Sequence, residues 1–228
     1  MNSFASPQTL VTLPFPPPDD LYSRVFDAIL EQQIHPCSRI TEESLGQMFG
    51  VRRSDIRSVL TRLSHQQVII LRANHRPRVA TLDLEQTRQT LHARRLTEVT
   101  LVQLACQQAD PHDLQGMRVV VDRLRLSAKR GPAIRLAGEF HLRLAEIAGN
   151  APLAHFLGSL VPLTSLAIAQ FSVPMEGNCV WQEHQNILEA VERKDTVRAL
   201  SLLNRHLDYL EATLMNAAAV VHQNRVAG

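Results

Sequence analysis

The sequence predicts a mainly α protein, an N-terminal winged helix-turn-helix followed by an all-α bundle of six helices, and three observations predict it. Apolar residues recur at helical spacing over most of the 228 residues. A short helix ending in Gly50 runs at once into an arginine-rich amphipathic helix, the spacing of a helix-turn-helix. Two short apolar runs suited to strands, residues 68–71 and 79–82, flank a tip holding Arg72, Arg76 and Arg78, and no strand signal follows them. The chain accordingly divides into a tail over residues 1–20, a winged unit over 21–82 and a helical unit over 83–228.

The tail carries Pro7, Pro14, Pro16, Pro17 and Pro18 with few core formers, and is expected to be mobile. Residues 22–33 place Val25, Phe26, Ile29 and Leu30 at helical spacing and supply the supporting helix. Over residues 41–50, Thr41 is an N-cap, Glu42 and Glu43 sit in the first turn, Leu45, Met48 and Phe49 form the packing side, and Gly50 is the left-handed stop. In residues 51–63, Ile56, Val59, Leu60 and Leu63 form one stripe. Arg53, Ser54, Arg57, Ser58 and Thr61 gather roughly 140° away at about 100° per residue.

Arg and Ser on the polar face of a lone surface helix are usually just solvated. A cationic hairpin directly downstream changes that balance, because a wing lies along a phosphate backbone while the helix beside it reads base edges. Arg52, Arg53, Ser54, Arg57 and Ser58 on the helix and Arg76 and Arg78 on the wing are therefore the candidate DNA contacts.

Helices are then expected over residues 84–109, 113–129, 132–148, 152–171 (interrupted by Pro162), 180–192 and 196–222, with a loop over 174–179. Net charge separates the two units. Residues 21–82 hold nine Arg, no Lys and five acidic residues, whereas 83–228 balance at fifteen of each sign. The cationic excess lies where the helix-turn-helix and wing are, as a nucleic-acid-binding unit requires. Neither an uninterrupted run of 18 apolar residues nor a basic segment leading into an apolar N-terminal core is present, which predicts a cytoplasmic protein without a membrane partner. Cys37, Cys106 and Cys179 are odd in number and widely spaced, which argues for buried free thiols over disulfides or a thiolate metal site.

Residues 21–82 resemble the DNA-binding domain of GntR-type bacterial transcription regulators. The resemblance is carried by Phe49-Gly50-Val51-Arg52-Arg53-Ser54-Asp55-Ile56-Arg57-Ser58-Val59-Leu60-Thr61-Arg62-Leu63. It implies that Arg53 and Arg57 take the family's base- and phosphate-contacting roles. Departures are Arg52 for the usual Ser, Asp55 for the usual Pro, Pro36-Cys37 for Pro-Gly, and Asn74 and His75 for the wing glycines; the operator sequence is unpredictable from them.

The helical unit resembles the FCD effector domain of the FadR-like branch of that family, nearest its six-helix VanR-type subgroup. Arg94-Arg95-Leu96-Thr97-Glu98, Glu139-Phe140-His141-Leu142 with Leu144 and Asn150, Glu183-His184 with Ile187 and Ala190, and Ala199 with His206-Leu207 carry it. It implies a pocket in which His141, His184 and His206 hold one divalent metal, zinc or nickel, and bind the effector. The family's fourth ligand, an Asp one turn before the first His, is Ala137 here, and Glu139 points too far round the helix to replace it. Water or an anionic effector could complete the shell, or the histidines could bind a carboxylate directly when one is protonated. Arg94 or Arg95 would clamp that carboxylate bidentately, the alternative being a surface ion pair with Glu98. His35, His92, His112, His155 and His222 are read as ordinary surface or core histidines.

The resemblance implies a cytoplasmic, nucleoid-associated homodimer that binds a double-stranded operator and responds to a small organic acid, with no enzymatic activity. Two other readings remain open: a metal-dependent enzyme built on the three histidines, and a small-molecule binding protein that has lost DNA recognition through Arg52, Asp55 and Asn74.

Overall fold

The computed structural model describes residues 20–173 and 177–226. The tail expected over residues 1–20 lies, Asp20 apart, outside the described residues, as do the side chains of Cys179 and His222. Helix α1, Leu21–Leu30, is capped by the Asp20 side chain, which accepts from the Ser23 amide. It ends three residues earlier than expected, where Gln32 takes a φ of 59°. Helix α2, Glu42–Phe49, opens with a reciprocal Thr41–Ser44 capping box and stops at Gly50, whose φ is 68°.

Helix α3, Arg53–His65, starts two residues late because Arg52 sits in extended backbone and provides no side-chain cap. Its stripe of Ile56, Val59, Leu60 and Leu63 is buried as expected. The packing side of α2 needs correcting. Met48 is 51% exposed, and Gly46 turns inward instead, where a Cβ would stand 3.0 Å from the Val51 carbonyl oxygen. The wing is shorter than its apolar runs suggest: β1, Ile69–Ile70, pairs antiparallel with β2, Arg78–Val79, in the register Ile69 to Val79. Ile70 and Leu71 stay exposed on its outer side.

Among the described residues six helices follow: α4, Leu84–Gln108; α5, Pro111–Leu126; α6, Arg130–Ile147; α7, Ala151–Gln170; α8, Gly177–Glu192; and α9, Thr196–Val226. Asp83 and Gln86 form a capping box on α4, and Asp110 caps α5 ahead of Pro111. Several of these helices depart from expectation: α5 ends three residues early and α9 runs four residues further. α5 and α6 each begin two residues early, α8 begins inside the expected loop, and α7 runs unbroken through Pro162. Although α7 is long and apolar enough to cross a membrane by length and composition, it packs against α4 and α6 here.

One apolar core lies within the bundle, around Leu101, Phe140, Leu157, Leu188 and Leu203. The other is shared by both units: Val25, Phe26, Ile56 and Leu63 pack continuously with Ile134, Leu166, Ile168 and Leu214. Helix α1 therefore docks on α6 and α7. At the crossing Gly131 has no room for a side chain, since a Cβ would lie 2.7 Å from the Asp27 carbonyl oxygen. Beside it Arg135, buried, donates to the two Asp27 carboxylate oxygens at 2.7 and 3.1 Å. Cys106 is buried, but Cys37 is exposed in the turn before α2, contrary to expectation.

Candidate functional site

Two chemically distinct regions stand out, an exposed cationic face and a buried histidine cluster. Because its apolar stripe is committed to the core, α3 presents Arg53, Ser54, Arg57 and Ser58 to solvent, and Arg76 and Arg78 are exposed on the wing. Arg57 is not loose: its Nε and Nη2 each donate to Glu42 at 2.7 Å, and Arg53 Nη2 lies 3.8 Å from the same carboxylate. The hydrogen bond from Arg57 holds the Glu42 carboxyl below its usual pKa. Arg52 reaches forward to Asp55 at 3.2 and 3.3 Å, so two departures from the GntR pattern partner each other at the start of α3. Asn74 takes a φ of 60° at the wing tip, the left-handed conformation a glycine would supply and Asn tolerates better than most residues.

The buried cluster is assembled by three helices. His141 comes from α6, His184 from α8 and His206 from α9, with ring centroids 5.2, 5.0 and 5.2 Å apart. One donor atom from each lies within 4.8 Å of the others. Phe140 closes the apolar side, edge-on to His184 at 4.8 Å. Gly138 lets α7 approach, because a Cβ there would meet Val161 Cγ1 at 2.9 Å. Together the helices leave a cavity of about 60 Å³ lined by Arg94, Ala137, Ser165, Tyr209 and Thr213 around the imidazoles. That is room for a few water-sized groups.

Carboxylates back two of the three rings. Glu183 Oε2 stands 2.7 Å from His206 Nδ1. Glu98 Oε2 stands 2.7 Å from His141 Nδ1, close but off the axis of a well-aligned hydrogen bond. Glu98 is also ion-paired with the buried Arg94, one turn earlier on α4. Burial works against the Glu98 charge, yet Arg94 and then His141 outweigh it and hold the carboxyl well below its usual range. Burial pushes His141 down to about 4, against the opposing pull of Glu98, so this ring is neutral at physiological pH. A neutral imidazole whose Nδ1 faces a carboxylate has Nε2 available for a cation. The three rings thus fit a zinc- or nickel-type ion, with Ala137 leaving no carboxylate at the family's fourth position.

The expected residues separate clearly. Arg94 lines the cavity, whereas Arg95, turned about 100° further round α4, reaches Asp208 at 2.7 Å and Glu211 at 3.2 Å and ties α4 to α9. Glu139 lies 3.6 Å from both Arg135 and Arg143, away from the imidazoles. His35, His92, His112 and His155 are exposed. Glu98 is 2% exposed, so the surface ion pair foreseen for it is a buried one. Sequence reasoning missed Glu98 and Glu183 as partners of the histidines. The available signal was the i, i+4 spacing of Arg94 and Glu98 in a helix that also carries buried Leu91 and Leu101.

The FCD domain family matches residues 89–209, more than half of the chain. The chain belongs to the FCD family. Within this FCD chain, the Uxu operon regulator of Haemophilus influenzae is 24% identical over 198 residues, 79% of the chain and 74% of that relative. The fold is similar to that of Escherichia coli McbR/YncC, with a TM-score of 0.69 at 16% identity, covering 86% of this chain and 95% of that one. It is similar also to a GntR transcriptional regulator from Rhodococcus sp. RHA1, with a TM-score of 0.66 at 19% identity over 86% and 96% of the two chains. The FCD protein is thus a ligand-responsive transcription regulator, in which a winged helix-turn-helix precedes the FCD bundle.

Proposed function

We propose that this FCD regulator acts as a cytoplasmic homodimer that grips a pseudo-palindromic operator with α3 and the wing of each copy, under control of a small organic acid bound beside the imidazoles. One observation carries the reading. Three histidines, two of them beside carboxylates, enclose a small cavity in the same chain that displays a solvent-exposed Ser/Arg face on its recognition helix. Arg53, Ser54 and Ser58 reach base edges and phosphates, Arg57 joins them by leaving Glu42, Arg52 flanks the helix, and Arg76 and Arg78 follow the backbone. The partnered substitutions at Arg52 and Asp55, and the glycine-like backbone of Asn74, favour retained rather than lost DNA recognition.

His141, His184 and His206 would hold one divalent ion, and Arg94 would orient the effector carboxylate against it. A bound zinc or nickel supplies positive charge and an open coordination position for that carboxylate. Glu98 and Glu183 fix the His141 and His206 rings and so are committed as orienting groups, which supports a binding site rather than a catalytic one. The six helices after the wing fit the VanR-type subgroup. A duplex selected by the protein from a random pool gives the direct test by gel shift. Arg53→Ala should weaken specific binding by about 1–3 kcal/mol, and undiminished binding would refute the role given to α3.

A further inference from the structure

The last turn of α7 touches both the cavity and the winged unit. Ile168 and Val173 line the cavity. Between them, the Ala169 carbonyl accepts from Gln32 Nε2 just beyond α1. Gln170 Nε2 donates to the Ala80 carbonyl, and Gln170 Oε1 accepts from the Leu82 amide at 3.2 Å, so this side chain grips the segment that leads from β2 to α4 by both its polar atoms.

The turn itself is closed by Val173 N to Ile168 O at 3.2 Å and Ser172 N to Ala169 O at 3.3 Å, the pairing of a Schellman motif. Its left-handed position is not glycine: Ser172 has a φ of 52°. The strained turn is held from outside by Arg130, which donates to the Val173 carbonyl at 2.7 Å and to the Ile168 carbonyl at 2.8 Å.

We propose that residues 168–173 are the coupling element of this regulator, a turn whose inner side chains sense occupancy of the cavity and whose outer polar groups set the wing. The proposal rests on the regulator reading above and names its route. The other junction between the units is built as a seat: Gly131 leaves no gap under α1, and Arg135 locks Asp27 in a buried pair. Filling the cavity presses on Ile168 and Val173, shifts the turn held by Arg130, and carries Gln170 with it, while α1 stays seated as the pivot. Coupling of this kind requires two arrangements that the ligand distinguishes; the second one proposed for this turn is that in which Arg130 releases one of the two carbonyls it holds.

The test uses the full-length protein, Ni²⁺ alone as the probe of the cavity, and the duplex selected from a random pool. In the wild type, saturating Ni²⁺ should change duplex affinity by at least about five-fold, within the usual range of coupling factors, and change amide exchange at Leu82. Gln170→Ala, or Gln170→Glu if the first does not fold, should bind Ni²⁺ and metal-free duplex within about two-fold of wild type while the coupling factor falls to about one. Ser172→Gly keeps every contact of the turn and should retain coupling. Wild-type coupling in both Gln170 variants, or a duplex affinity that responds to Ni²⁺ while Leu82 exchange does not, overturns the proposal. So does a wild type that takes up Ni²⁺ and binds duplex independently, an outcome that leaves both binding sites standing. A chain that binds no duplex fails the regulator reading itself and takes the coupling turn with it.

Discussion

Arg135 on α6 donates to both carboxylate oxygens of Asp27 on α1, at 2.7 and 3.1 Å, across the junction of the winged and helical units. The two ends of this pair are not energetically equivalent. Burial raises the Asp27 pKa and outweighs the hydrogen bond from Arg135, so at neutral pH the charged carboxylate is held at a net penalty. Arg135 has a second acid 3.6 Å away, Glu139, which remains if Asp27 is neutralised. Asp27→Asn should therefore shift stability by less than about 1 kcal/mol. Arg135→Met leaves a half-buried acid without its cation and should cost about 3 kcal/mol, the low end of the range for buried pairs. Urea unfolding at pH 7 separates the two, and equal losses would count against the asymmetry.

Arg57 faces a choice between Glu42 and DNA. Its two 2.7 Å bonds to the Glu42 carboxylate occupy the fork a phosphate would take, and Arg53 shares the same acid at 3.8 Å. Glu42→Gln removes one negative charge from the recognition face and should tighten binding to random-sequence duplex while steepening the dependence on salt. Arg78→Ala on the wing should do the reverse, weakening all duplexes alike and lowering the salt slope by about one. Fluorescence anisotropy across a salt series reads both, and a Glu42→Gln protein that binds random duplex more weakly would reverse the assignment.

The recognition helix was legible because Ile56, Val59, Leu60 and Leu63 obey the 3.6-residue period and nothing tertiary overrides it. Met48 obeyed the same period and is exposed, because α2 packs against the following turn through Gly46, where a Cβ would crowd the Val51 carbonyl oxygen at 3.0 Å. The histidine trio could be found from the FCD resemblance, but its members are 43 and 22 residues apart and no local pattern joins them. Glu183 is adjacent to His184 in sequence, yet it serves His206 on a different helix, a pairing set by how α8 crosses α9. Arg94 and Arg95 were indistinguishable as neighbours; the rotation of α4 decides which one faces the cavity. Residues 168–173 carried no signal, since the turn's importance lies in what it touches on each side.

The histidine trio predicts a stoichiometry and a hierarchy. Protein purified without chelator and dialysed against Ni²⁺ or Zn²⁺ should retain one ion per chain by elemental analysis. His184→Ala removes one of three donors and should abolish retention. Glu183→Gln keeps all three donors but no longer holds His206 Nδ1 with a charged acceptor. Loss of such an outer partner lowers metal affinity by about 10–100-fold, measurable by competition with a chelating dye. Metal retention in His184→Ala equal to wild type would place the ion elsewhere.

Tyr22 predicts how the winged unit fails at high pH. The ring is buried under the Arg62 guanidinium at 3.8 Å, and its hydroxyl donates to Gln66 Oε1 at 2.7 Å, tying α1 to the end of α3. Burial, only partly offset by Arg62 and Gln66, pushes its pKa up from 10.0 to about 12. The folded chain therefore keeps this proton in a range where the unfolded chain has lost it. Its contribution is intact well below pH 10 and declines as pH rises towards 12, by at most about 1.4 kcal/mol per unit. Tyr22→Phe should cost about 1 kcal/mol at pH 8 through the lost hydrogen bond. Between pH 10 and 11, however, the variant should lose about 1 kcal/mol less than wild type, because groups that titrate elsewhere act on both proteins equally. Urea titrations of the two at pH 8, 10 and 11 measure that difference, and parallel declines would show that the phenol ionises in the folded state as readily as in water.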